Sequence, residues 1–226
     1  PGESGTKEEI ARLRVLRTDL FVKSVGMKFL PDLGKIIDYF KTVAEHEKLR
    51  NELAARTISQ ELAHGNVQAE YGTAHSVLSW RPKRTRVPLT RLMEGIVFGP
   101  AEIALRKLSI GQEPTAREYW AGHIASLHEN RLLEGISGKL HRNTKDANVR
   151  FAKLVTAELT KRLSEDDLIK IAYGKLGRLF ELNGLPSPVE RIPNYKAFKV
   201  AIVPFLEKNS GFWQRLPQKE KRRLLS

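Results

Sequence analysis

Five cations, Arg81, Lys83, Arg84, Arg86 and Arg91, follow one another with no Asp or Glu after Glu70. Guanidinium and ammonium groups at that density serve one chemistry above others, contact with phosphate oxygens, where Arg forks onto two oxygens and Lys acts as a point charge. Pro82 and Pro88 bracket Lys83 to Arg86 and favour an extended, exposed segment whose cations can reach a phosphate backbone. The bias recurs downstream. Residues 139–153 carry Lys139, Arg142, Lys145, Arg150 and Lys153 against Asp146 alone, and residues 196–226, which include Lys221, Arg222 and Arg223, carry basic side chains against only Glu207 and Glu220. Across 226 residues, 39 Lys and Arg stand against 26 Asp and Glu, a net charge of +13 and a pI near 10.0. Such a chain draws polyanions at long range, nucleic acid first, then an anionic membrane surface or an acidic protein.

Other chemistry is sparse. Residues 135–139, GISGK, have glycines two residues apart where a phosphate loop needs four, and Leu140 stands in place of the Ser or Thr that would hold magnesium. His123 and His128 are five apart, hence on different faces of a helix, and neither HExxH nor GxSxG occurs. Ser164 with Asp167 reads as a helix start rather than an acid–base pair. The sequence therefore predicts no enzyme activity, no cofactor and no metal. Cysteine is absent, which rules out disulfides and thiolate ligands and points to an intracellular compartment, cytoplasm, nucleoid or nucleus. No apolar run reaches the ~20 residues of a membrane span, and the first residues, PGESGTKEE, lack the apolar core of a secretory signal.

The elements that must carry these groups read as helices. Val67, Gly72 and Leu78 have the offsets of a helix-turn-helix, an apolar anchor, a turn glycine and an inward apolar residue. Residues 66–81 thus resemble that motif, which would aim His75, Ser76 and Ser79 at a groove; Gln68, Thr73 and the early Trp80 depart from it. Thr6 with Glu9 has the form of a capping box ahead of Ile10, Leu13, Leu16 and Leu20, a first helix ending near Gly26. Leu33, Ile36, Ile37, Phe40, Val43 and Ala44 form a second stripe, continued on a drifting face as one helix to His64 or as two. Short helices follow around 89–96 and 103–108. Pro114 is placed to open a helix at its first position, with Tyr119, Trp120 and Ile124 on one face to Gly135. Phe151, Leu154, Val155, Leu159 and Leu163 form another stripe, and Ser164 starts a helix running through Phe180 to Asn183-Gly184. After the proline-rich link at 185–193, Asn194 caps a helix that Pro204 should kink, and a basic end, KEKRRLLS, frays or docks on a partner. Trp80 and Trp213 are placed to stack on bases or, more simply, to fill a core.

The expectation is an all-α protein of about eight to ten helices with little or no sheet. Residues 1–184 would form the main domain, with a sub-boundary near 65–88, and 185–226 a proline-linked helical segment with a basic tail. Its function would be binding nucleic acid by the phosphate backbone, as a DNA-binding regulator or replication-type protein. The alternatives are a coating or chaperone protein for single-stranded RNA or DNA that self-associates, and a helical adaptor whose basic face meets an acidic protein. A membrane is not among the expected partners.

Overall fold

A computed structural model describes residues 3–25, 32–62, 99–137, 146–173, 178–185 and 195–225. Every regular element among them is a helix: α1 (Glu3–Val25), α2 (Leu33–Leu62), α3 (Pro100–Ser109), α4 (Ala116–Ser137), α5 (Asp146–Lys161), α6 (Glu165–Tyr173), α7 (Arg178–Glu181), α8 (Tyr195–Asn209), α9 (Gly211–Arg215) and α10 (Gln218–Leu225). The helix-turn-helix segment 66–81, the basic loop at 81–91 and most of the proline-rich link lie outside the described residues.

Two compact units divide the chain, one of Pro1–Glu94 with Ala104–Pro114, the other of Gly95–Ile103 with Thr115–Ser226. In the first, α1 and α2 pack together, burying Leu13 against the stripe of Ile36, Phe40, Val43 and Ala44. The drifting second half of α2 is one unbroken helix to Leu62. It buries the polar His46 and Asn51 while Leu49 and Leu53 stay half-exposed. Lys41 on α2 reaches Glu113 at 3.2 Å.

The second unit is built around α5. Along this helix Phe151, Ala152, Leu154, Val155, Leu159 and even Thr156, Glu158 and Thr160 are buried, because α4, α7, α8 and α10 all pack on it. Both Thr hydroxyls lie within hydrogen-bond distance of the carbonyl four residues back in their own helix, a local way to satisfy a buried hydroxyl. The far end of α5 is closed from α4, where Arg117 donates to the carbonyls of Thr160, Lys161 and Leu163 at 2.9 to 3.2 Å. A cation there satisfies free carbonyls and opposes the negative end of the helix dipole.

Several boundaries differ from the sequence expectation for identifiable reasons. Because α1 begins at Glu3, Thr6 is already inside it, and Glu9 accepts from Arg12 Nε at 2.8 Å. Pro100, not Pro114, takes the first helical position, in α3. Pro114 precedes a capping box in which Thr115 N donates to Glu118 Oε2 at 2.8 Å and Glu118 N to Thr115 Oγ1 at 3.2 Å. The predicted Ser164 cap is present, with Asp167 N donating to Ser164 Oγ at 3.1 Å. The helix it opens ends at Tyr173, and Leu179 and Phe180 belong to the separate α7. Gly184, at φ +70, closes α7 by donating to Glu181 O while Leu185 N reaches Phe180 O, both at 2.9 Å; the left-handed residue is the one glycine supplies most readily. Residues 199–203 lie in α8, which runs through Pro204 on an exposed face. Finally, the C-terminal segment is no appendage: α8 and α10 both pack on α5, with Leu224 and Lys221 buried.

Candidate nucleic-acid interface

The described cations predicted to meet phosphate lie on α5 and α10, and the packing of each helix decides which are available. On α10 the inward positions are three apart, Lys221 and Leu224, so the outward ones are Lys219, Arg222 and Arg223. Lys221, predicted to contact nucleic acid, instead spends its charge internally: its ammonium lies 3.1 Å from Glu207 Oε1 and 5.4 Å from the centre of the Trp213 ring. Arg223 is exposed and 3.7 Å from Glu220. Arg222 and Lys219 are exposed and, like Arg215 at the end of α9, belong to neither of these two pairs. On α5 Arg150 is half-buried with interactions of its own, and Lys153 is paired with Glu102. The remaining predicted residues, His75, Ser76, Ser79, Arg81, Lys83, Arg84, Arg86, Arg91, Lys139, Arg142 and Lys145, lie outside the described residues.

Trp213 is core. It is 1% exposed, edge-on to Phe151 at 6.4 Å, and its Nε1–H donates to Glu207 Oε1 at 2.7 Å. Below it, Ser210 caps α9 through its hydroxyl and donates to the buried Glu158 Oε1 at 3.0 Å. Stacking on a base is therefore closed to this indole, while the packing it provides fixes α9 and α10 and so aims Arg215, Lys219 and Arg222 outward.

Sequence spacing gave no sign of an acidic cluster at the start of α3. Glu102 Oε1 accepts from Lys153 Nζ, and Glu129 Oε1 accepts from Thr156 Oγ1 at 3.2 Å. Both carboxylates crowd Gly99, where a Cβ would lie 2.7 Å from Glu102 Oε2 and 3.1 Å from Glu129 Oε1. A Cβ at position 99 would require these carboxylates to shift. Burial, and then the neighbouring Glu102 charge, push the Glu129 carboxyl up to about 7 against the pull of Lys153 and Thr156. Glu102 Oε2 is buried with no hydrogen-bond partner. A carboxyl titrating near neutrality could act as an acid or base. Among the described residues no three His, Cys, Asp or Glu side chains are arranged to hold a metal ion. His123 and His128 are both buried in α4; burial drives His123 down to about 4, leaving it neutral.

A cleft of about 370 Å³ opens where α5, α7 and α8 end. Leu163, Leu182 and Phe205 give it an apolar floor, and Arg162 and Lys208 stand at its rim with Asn209. Leu182 is 49% exposed, and both cations are exposed. No carboxylate lines it. Asn183 also borders it but spends its amide on the carbonyls of Leu159 and Leu179. Among the described helices none is long and apolar enough to cross a membrane. No family model, curated protein or solved structure matches the chain.

Proposed function

We propose that this protein binds nucleic acid, meeting the phosphate backbone with cations that its own carboxylates leave unneutralised, inside a cell. The observation that carries the reading is the imbalance of 39 basic to 26 acidic residues. The spacing of α10 supports it, turning Lys219 and Arg222 outward while Lys221 consumes Glu207. Charge of this kind gives affinity and steering without reading sequence. The basic stretch at 81–91, with the groove-facing His75, Ser76 and Ser79 of a helix-turn-helix, would add a second contact region and a means of reading bases.

Binding to duplex DNA, single-stranded DNA and RNA, measured side by side across a salt series, tests this reading. The expected result is a log–log slope of about −0.9 per phosphate neutralised on duplex and about −0.7 on single strands. No binding of any of the three at ~50 mM salt, where screening is weak, would refute it and favour an acidic protein partner.

A further inference from the structure

We infer that the cleft between Arg162 and Lys208 is a seat for one unpaired base and its phosphate, which makes single-stranded nucleic acid the preferred ligand. This inference rests on the nucleic-acid reading and adds to it a strand state and a place. An apolar floor and a cationic rim in one small cleft fit an anion that carries a flat apolar face. Phe205 is half-buried and Leu182 is half-exposed, so both are anchored in the fold yet offer surface on which a ring can lie. Arg162 and Lys208 enter from the ends of different helices, α5 and α8, and bracket that floor. Neither is ion-paired among the described residues, and with no carboxylate in the lining nothing repels a phosphate drawn to them.

The apolar lining decides the strand state. The cleft, about 370 Å³, falls within the ~300–1,000 Å³ typical of ligand sites and has room for a base. A duplex keeps its bases stacked and paired, so it could use the rim cations and gain nothing from the floor. Single strands expose a π-face at every nucleotide, and stacking on a protein ring is tolerant of sequence. Asn209 at the rim contributes donor and acceptor without adding negative charge. The cations do not serve chiefly to satisfy the end of α5, because Arg117 and Asn183 already hydrogen-bond its last carbonyls.

The test measures anisotropy of a fluorescent 12-mer, single-stranded and as a duplex of the same sequence, against the parent chain, F205L and the double variant R162Q/K208Q. Leu at position 205 keeps apolar packing and removes the ring face, and thermal melts establish that each variant is folded. F205L is expected to bind single strands about fivefold to tenfold more weakly and duplex as the parent does. The double variant should weaken single-strand binding further and lower its salt slope by about one unit. A 4-thiouridine placed in the 12-mer should crosslink to residues 182 or 205, which a merely destabilised variant would not alter. If the parent binds nucleic acid and folded F205L binds single strands equally well with no crosslink in this cleft, the inference is overturned while the broader reading stands. If the parent binds neither form but captures an acidic, aromatic-bearing peptide at this cleft, both fall together.

Discussion

Glu129 and Glu207 are the same side chain, each facing a lysine-bearing cluster in the same unit, and their proton affinities move in opposite directions. Glu207 is exposed and receives donors, Trp213 Nε1–H first and Lys221 second, which hold its carboxyl below the usual range. Glu129 is withdrawn from water and faces a second carboxylate that has already claimed the lysine, so its carboxyl is raised. A nearby lysine thus says little by itself. Which carboxylate takes the lysine, and whether water reaches the other, set the sign.

The strongest way to break the Glu207 cluster is to remove its indole. W213A should cost about 3–5 kcal/mol in denaturant unfolding, the range for deleting a buried aromatic, and should return the Glu207 carboxyl toward its ordinary value in an NMR titration. Deleting residues 218–225 removes Lys221 and buries one leucine fewer; a loss of roughly 2–3 kcal/mol is expected, whereas a fraying tail would cost nothing.

The Glu129 side of the comparison is sharpened by pH. Its folded-state affinity is raised from 4.5 to about 7, so the stability it contributes is complete below pH 4.5 and lost as pH rises through about 7. For His123, lowered from 6.5 to about 4, the unfolded chain binds more protons, and stability is lost as pH falls through that interval. Between pH 4.5 and 6.5 the two slopes oppose each other. E129Q mimics the protonated form, so it should match the parent near pH 4.5, exceed it by on the order of 1–3 kcal/mol at pH 8, and show the rising His123 slope unmasked. The smallest effect belongs to E207Q, whose deficit should appear above pH 4.5, vanish as pH falls through the lowered Glu207 value, and shrink with added salt. A pH-independent E207Q deficit would show that geometry, not charge, is what Glu207 supplies.

The helices were legible because burial imposes a period. The stripe of Phe151, Leu154, Val155, Leu159 and Leu163 is buried as its spacing requires, and the Ser164 cap is an exchange of hydrogen bonds within four residues. What was hidden depends on partners far apart in the chain. Glu102 and Lys153 are separated by 51 positions, and nothing at either position marks the other. Lys221 was legible in part, since Leu224 three residues on shares its helix face and implies an inward stem; the carboxylate and indole waiting there come from other helices. Composition registers every cation, but only packing divides those consumed internally, such as Lys153 and Lys221, from those left outward, such as Lys219 and Arg222.

The route of the chain between its two units bears on the order of events during synthesis. It leaves the first unit after Glu94, contributes Gly95–Ile103 to the second, and returns for Ala104–Pro114 before going on, with the change falling inside α3. On a ribosome, where earlier segments ordinarily fold first, the opening turn of α3 therefore emerges long before the helices it belongs with. Glu129 and Lys153, which surround Glu102 and Gly99 in the fold, come later in the sequence. Neither unit is a continuous stretch of sequence, so a single cut, by a protease or by design, cannot release either one whole.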